Sequence, residues 1–308
     1  MYIKKENHLK DKEMSINNFC IAELTVRIIF EKSGHDDMYL LPSLEPFRVD
    51  NIDGDAVLEV IVKEKLPPLS ANQIQRVRDF DTGNGNIIVD HIKGGGYQFS
   101  FLDIDNVKCC LLHVDKTFSK CVCAVEGNSV SRAFGLNNAL MLSFSLAAAS
   151  HETLLIHASL VRNNGYGYAF IAKSGTGKST QVSMWLRYIP DCDLMNDDNP
   201  IVRIINDEVF IYGSPWSGKT PCYRNVKARL GSITRIARDT CNWVEELTPT
   251  QGFVSLLPSC SSMKWDHEIH EFVCNTITKV VEKSKLYILH CLPNKEAAEV
   301  CYNAIAKK

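Results

Sequence analysis

A glycine-rich segment in the middle of the chain constrains its fold more than any other feature. The segment reads Ala172-Lys173-Ser174-Gly175-Thr176-Gly177-Lys178-Ser179-Thr180 and contains the Gly-Lys-Ser of a phosphate-binding P-loop, or Walker A motif. An apolar run at residues 168–171 precedes it, and Val182, Trp185 and Ile189 follow at helical spacing. The sequence therefore predicts the strand, loop and helix in which such a loop functions.

The residue types of the loop suit a nucleotide's phosphates. Glycines let backbone N–H groups turn toward phosphate oxygens, and Lys178 can neutralise the β and γ phosphates. The hydroxyl of Ser179 can ligate Mg²⁺ at the helix N-terminus. Ala172 replaces the first glycine of the motif and accepts most of the same backbone conformations. We predict that ATP, or another phosphate donor, binds with Mg²⁺ through these residues: Ser174, Gly175, Thr176, Gly177, Lys178, Ser179 and Thr180.

A hairpin is predicted immediately before the loop. Residues 154–161 form a second strand candidate, and Asn164-Gly165 between the two strands is a strong two-residue turn signal. Such a turn pairs positions whose numbers sum to 329, so His157 falls opposite Ala172. The strands are therefore expected to be antiparallel neighbours that bring a histidine to the phosphate loop. Taken alone, His157 could instead be a core histidine.

Two adjacent carboxylates follow the predicted helix. Asp197 and Asp198 end the segment Leu194-Met195-Asn196-Asp197-Asp198. A carboxylate at a strand end downstream of a P-loop is where a Mg²⁺ partner belongs. The neighbouring Asn196 and Asn199-Pro200 leave a simple polar turn as the alternative.

In combination, these motifs resemble the catalytic domain of HPr kinase/phosphorylase and its smaller relatives, which share a phosphoenolpyruvate-carboxykinase-like nucleotide fold. The histidine lies 15 residues before the loop's first position, as in the family. The resemblance covers about residues 150–260, where residues 213–219 also resemble a Gly-x-Pro-Trp-x-Gly loop found among its relatives. It implies that Asp198 accepts the proton of a substrate serine, that Asp197 helps to organise the metal and that His157 stands near the γ-phosphate. The serine could belong to HPr, to a precursor peptide or to free serine.

The chain also departs from that family. The Glu-containing signature loop of that family is not found in this chain. The family also has an arginine late in its sequence, and four arginines of this chain could correspond to it. We therefore predict an ATP-dependent phosphotransferase acting on a hydroxyl, with two alternatives: a non-catalytic ATP-binding regulatory module and a decarboxylating carboxykinase. The four candidates are Arg224, Arg229, Arg235 and Arg238.

Composition favours an ordinary globular enzyme. The chain has 308 residues, 45% of them hydrophobic and 23% charged, and a net charge of −2 argues against a nucleic-acid or anionic-membrane partner. The twelve cysteines form no CxxC pair and are expected to be reduced core residues. The first seven residues carry no apolar signal core, and the longest apolar run, residues 136–149, is too short to span a bilayer. We predict a cytoplasmic protein.

The predicted class is α/β (α+β), with a β-rich N-terminal domain at residues 1–130 and the mixed-sheet P-loop kinase domain at residues 131–308. The first domain is expected to present substrate or to build a homo-oligomer. Its Gly94-Gly95-Gly96 run is expected to be a hairpin turn, and residues 131–150 a buried helix. The strand candidates are residues 21–30, 57–62, 87–92, 97–102, 109–114 and 121–125.

Several further residues have two interpretations. Trp216 could pack in the core or line an acceptor site, and Lys219 and Arg224 could contact phosphate or acceptor. His267 and His270 are three apart, whereas zinc-protease helices space them four apart, so we expect a solvated helix face. That helix is predicted at residues 266–282, followed by a strand at 286–289 and a last helix.

Overall fold

A computed structural model describes residues 14–31, 36–52 and 54–307. It is a mixed α/β structure with two large mixed sheets and few helices, which agrees with the predicted class. The prediction for residues 1–7 lies outside the described residues.

The first sheet contains the N-terminal strands. Its strand order is β3-β1-β2-β4-β9-β8-β7-β6-β5. Strands β4 and β9 are parallel, and from β5 to β9 each strand pairs antiparallel with the next strand in the chain. The strands are β1 (Met14–Ile21), β2 (Leu24–Glu31), β3 (Arg48–Val49), β4 (Leu58–Val62), β5 (Ile74–Asp81), β6 (Asn86–Ile92), β7 (Tyr97–Leu102), β8 (Lys108–Val114) and β9 (Lys120–Val125).

Most of the N-terminal strand predictions are confirmed, including the glycine turn between β6 and β7. The predicted strand at residues 21–30 is wrong. The chain turns at Ala22 and Glu23, whose φ angles are 50° and 62°, and so forms two strands. Neither residue signals a turn, because left-handed backbone favours glycine or asparagine. Strand β5 was missed because most of its side chains are exposed and carry no apolar alternation.

The second sheet carries the P-loop. Its order is β10-β14-β15-β16-β12-β11-β13, and β18 pairs with both β16 and β17. Strands β12, β16 and β18 run parallel, whereas β11 is antiparallel to β12 and β13. The strands are β10 (Thr153–Leu155), β11 (Ala158–Asn163), β12 (Tyr166–Ile171), β13 (Cys192–Asp198), β14 (Ile201–Ile205), β15 (Glu208–Tyr212), β16 (Lys227–Arg238), β17 (Trp243–Glu246) and β18 (Leu286–Cys291).

Helices contribute to a hydrophobic core on each face of this second sheet. On one face Leu256 and Ile277 pack in the same cluster as Ile171. On the other face Trp185 and Cys301 pack in the same cluster as Phe170. The helices are α1 (Ser129–Ala147), α2 (Lys178–Tyr188), α3 (Pro249–Leu256), α4 (His267–Lys283) and α5 (Lys295–Ile305).

The predicted C-terminal elements are confirmed. Asp266 caps α4 by accepting a hydrogen bond from the Ile269 backbone N–H at 3.1 Å, and Asn294 caps α5 in the same way through Ala297. Such side-chain oxygens satisfy N–H groups that have no partner within the helix. The local sequence therefore sets where both helices begin.

The chain divides into two compact units. Of the described residues, the first comprises 14–18, 27–31, 36–42 and 59–139, and the second comprises 19–26, 43–52, 54–58 and 140–307. All P-loop elements belong to the second unit.

Helix α1 and the 3₁₀ turn that follows it together run from Ser129 to His151. This segment is long and apolar enough to cross a membrane, unlike the shorter apolar run expected from the sequence, but 61% of its apolar window is buried within the protein. That burial is consistent with the core helix of a soluble protein. All twelve cysteines are free thiols, and most of them are buried.

Candidate functional site

The P-loop connects the end of β12 to the first residue of α2, Lys178. Gly175 and Gly177 have φ angles of 74° and 130°, which side chains with a Cβ rarely adopt, so the loop needs glycine at both positions. Lys178 is 9% exposed, and its Nζ lies 3.3 Å from the carbonyl oxygen of Ala172. Burial lowers the pKa of Lys178, and the nearby Asp198 and Asp197 oppose that shift.

The hairpin has the predicted register. Ala158 pairs with Ile171, and Asn163 pairs with Tyr166. Asn164 and Gly165 have φ angles of 49° and 78°, as a type I′ turn requires. Because the turn contains two residues, the register follows from the sequence alone.

The predicted strand at residues 154–161 is wrong as one continuous element. It is divided into β10 and β11, and His157 lies in the break between them. Ile156 forms an isolated bridge with Cys260, and the His157 backbone N–H donates to the carbonyl of Ser259 at 2.7 Å. The backbone of His157 is therefore fixed while its side chain remains 44% exposed.

Strand β13 brings the two carboxylates to the same edge of the sheet. Ala158 pairs with Asp198, so Asp198 lies beside His157, and the His157 Nε2 is 3.1 Å from the Asp198 Oδ1. The second oxygen of Asp198 accepts a hydrogen bond from the side-chain amide of Asn199 at 2.8 Å. The backbone of Asp198 is strained, with a φ of 137°. Strain of this kind persists only where surrounding contacts impose it, often at functional sites.

Asp197 is buried beneath the loop and has two hydroxyl partners. Its Oδ1 accepts hydrogen bonds from Ser159 at 2.6 Å and from Ser179 at 2.9 Å. The two hydroxyl oxygens are 3.4 Å apart. Asp197 therefore contacts the P-loop serine that is predicted to ligate Mg²⁺.

Ser159 is a site residue that the sequence analysis missed. In the sequence it lies two residues after His157, and in the structure its strand partner is Asp197. Recognising it required the pairing of β11 with β13, which no turn between those two strands defines.

The loop at residues 213–219 makes hydrogen bonds to the backbone of Asp197. Ser217 Oγ and the backbone N–H of Gly218 both donate to the carbonyl of Asp197. A Cβ atom on Gly218 would lie 3.1 Å from that carbonyl oxygen, so a side chain there would crowd the Asp197 backbone. Trp216 is 2% exposed and packs against Phe144 with ring centroids 5.3 Å apart. It therefore belongs to the core, which settles its two interpretations.

A cavity of about 530 Å³ lies on the α2 side of the loop. Arg238 forms part of its wall and donates to the carbonyls of Gly175 at 2.6 Å and Thr176 at 3.2 Å. The side chains of Gln181 and Asp239 also line the cavity. Polar and apolar groups thus line this cavity beside the loop.

Other residues singled out in the sequence do not join this site. Arg224 pairs with Asp193 at 2.7 Å, and Arg229 pairs with Glu208 at the same distance. Lys219 is exposed on the surface. The side chain of His267 is 95% exposed, whereas His270 lies 3.1 Å from the Ser262 hydroxyl.

The donors near the loop fit one Mg²⁺ ion. Within the described ranges, no group of three or more His, Cys, Asp or Glu side chains could hold a metal ion by itself. Mg²⁺ in nucleotide sites does not need such a group, because one or two protein oxygens, water and the phosphates complete its shell. Ser179 and Asp197, whose side-chain oxygens are 2.9 Å apart, would supply those protein oxygens.

The chain matches no model of a known protein family, and no curated protein matches it.

Proposed function

We propose that this protein is an ATP-dependent phosphotransferase that transfers the γ-phosphoryl group of ATP to a hydroxyl. The resemblance to HPr kinase implies a serine acceptor, either free or in a peptide or small protein. The P-loop would hold the phosphates, and the strand ends beside it would carry the acid–base residues.

One observation carries the proposal: the glycine-rich loop, Lys178 and two differently placed carboxylates share one edge of the second sheet. Asp197 is buried and bonded to Ser179, whereas Asp198 is half-exposed beside His157. A purely structural turn would not require one carboxylate to contact the P-loop serine and the other to face solvent next to a histidine. The two environments match a metal-organising group and a proton acceptor.

The reaction follows from these positions. Asp198 takes the proton of the acceptor hydroxyl, whose oxygen then attacks the γ-phosphorus while the bond to the β,γ-bridging oxygen breaks and ADP leaves. Lys178 and the loop N–H groups stabilise negative charge on the transferring group. His157, 3.1 Å from Asp198, orients that carboxylate and stands beside the transferred phosphoryl group. Bound Mg²⁺ would add charge neutralisation at Ser179 and Asp197.

The cavity on the α2 side is suited to the nucleoside. In a P-loop the α-phosphate lies near the residue after the motif, here Thr180, which lines this cavity. A ribose would then lie within reach of Asp239, and a base could contact Leu292 and Pro293.

The test is ADP formation from Mg-ATP with and without added hydroxyl acceptors, starting with free serine and a serine-containing peptide. We expect an acceptor to raise ADP formation and to recover the phosphate in an ester that mass spectrometry detects. Asp198→Asn should abolish this increase while Mg-ATP still binds. Binding of Mg-ATP without transfer to any acceptor would favour the non-catalytic regulatory module, and turnover that depends on oxaloacetate would favour the carboxykinase.

A further inference from the structure

A second cavity lies beside the P-loop, on the face of the sheet that α3 and α4 cover. Its volume is about 500 Å³, similar to that of the nucleoside cavity. Leu247, Val254, Pro258 and Ile288 give it a largely apolar wall. Val254 is 67% exposed although it belongs to this wall, so an apolar surface is left open. Cavities of this size hold small molecules.

Two cations stand on the P-loop side of this cavity. Lys173 is the second residue of the loop, and Arg235 lies on β16 directly opposite Ile171, the last residue of β12. Both side chains are exposed, and neither makes a hydrogen bond or ion pair with any other residue in the part of the chain that the structure describes. Other arginines of this unit do have such partners, for example Arg229 with Glu208. Glu245 also lines the cavity, but its carboxylate lies 3.6 Å from His290 Nε2. Two cations without such a partner favour a ligand that brings its own negative charge.

The cavity also adjoins the transfer site. Pro258 lines it, and the next residue, Ser259, binds the backbone of His157 through its carbonyl at 2.7 Å. Lys173, the second residue of the P-loop, also lines the cavity. A molecule in the cavity would therefore lie between the phosphate loop and the segment that carries His157.

We propose that this cavity is the acceptor subsite and that the acceptor is a small hydroxy acid with an apolar body. This inference rests on the proposed phosphotransferase function. Arg235 and Lys173 bind the acid group, Val254 and Ile288 contact the body, and the hydroxyl points to Asp198 for transfer of its proton. Free serine has no apolar body to cover this wall and would leave most of the volume unfilled.

The experiment compares hydroxy acids with their uncharged amides in the presence of Mg-ADP. The probes are lactate, 2-hydroxy-4-methylpentanoate and 3-phenyllactate, and calorimetry gives the affinity of each up to millimolar concentration. We expect the two acids with large bodies to bind at least about tenfold more tightly than their own amides, because hydrogen bonds to a charged group are the strong ones. They should also bind at least about tenfold more tightly than lactate, because they bury more apolar surface against the cavity wall. Equal affinity of acid and amide, or no binding of any acid, would overturn the proposal.

Arg235→Gln is the decisive variant, and Arg229→Gln is its matched control on the same strand. We expect Arg235→Gln to weaken binding of the large acids about tenfold or more and to leave Mg-ATP affinity unchanged, whereas Arg229→Gln changes neither. A loss of Mg-ATP affinity in Arg235→Gln would overturn the proposal, because it would make Arg235 a ligand of the nucleotide phosphates. Failure of the phosphotransferase function itself has a different signature, namely no binding of Mg-ATP to the unaltered protein.

Discussion

Replacing Ser159 by alanine tests whether Asp197 depends on its hydroxyl partners. The Ser159 hydroxyl is buried, with the residue only 1% exposed, and it donates to Asp197 at 2.6 Å. A hydrogen bond to a charged group contributes about 1.5–3 kcal/mol. We therefore expect Ser159→Ala to lower the free energy of unfolding by about 2 kcal/mol and the melting temperature by roughly 4–8 °C.

The matched control is Ser232→Ala. Ser232 is also fully buried in the second sheet, but its hydroxyl has no hydrogen-bond partner within the described residues. Removing an unpartnered hydroxyl should change the free energy of unfolding by less than about 1 kcal/mol. Urea unfolding followed by circular dichroism measures both variants. Equal losses in the two would refute the reasoning, because the effect would then come from the missing volume and not from the bond to Asp197.

Three further substitutions separate the roles of the polar groups. Asp198→Asn should bind Mg-ATP nearly normally and lose ADP formation by about 10²-fold or more, as expected for a general base. His157→Ala should slow transfer and leave the melting temperature within about 2 °C, because its side chain is 44% exposed. Asp193→Asn should lower the free energy of unfolding at pH 7, and the variant should then lose less stability than the unaltered protein as the pH falls. Unfolding at a series of pH values measures both effects.

The sign of the Asp193 effect follows from its pKa. Burial raises the pKa of this carboxyl. The hydrogen bonds and positive charges of Arg162 and Arg224 lower the pKa by more than burial raises it, so the net shift is downward. Its stabilisation is therefore present above the unfolded pKa of about 3.9 and disappears as the pH falls through the lower folded pKa. The opposite pH dependence would contradict this assignment. Asp197→Asn, in contrast to Asp198→Asn, should weaken the Mg²⁺ dependence of ADP formation. Swapped effects of the two variants would reverse the roles proposed for the pair.

Local signals in the sequence predicted much of the P-loop region. The Asn164-Gly165 turn determined the register of β11 and β12, because a two-residue hairpin leaves no freedom to slip. The glycine-rich loop was likewise placed correctly between a strand and a helix. The aspartate pair was correctly placed at the end of a strand.

Contacts between distant segments could not be predicted. Ser159 reaches Asp197 only because β13 pairs with β11, and residue spacing does not reveal that pairing. The break at His157 depends on the bridge between Ile156 and Cys260, which are far apart in the sequence. The turn at Ala22 and Glu23 was missed for a different reason, since its residue types do not favour a left-handed backbone.

Calorimetric titration of the protein with Mg-ATP tests the central claim most directly, with Lys178→Ala as the variant and Lys219→Ala as the control. Lys178 is enclosed by the loop, whereas Lys219 is exposed on the loop at residues 213–219. We expect Mg-ATP to bind the unaltered protein and the control alike and to bind Lys178→Ala at least about tenfold more weakly, because charge-assisted hydrogen bonds to phosphate are lost. Absence of binding to the unaltered protein, or equal affinity in a folded Lys178→Ala variant, would contradict a nucleotide site at this loop.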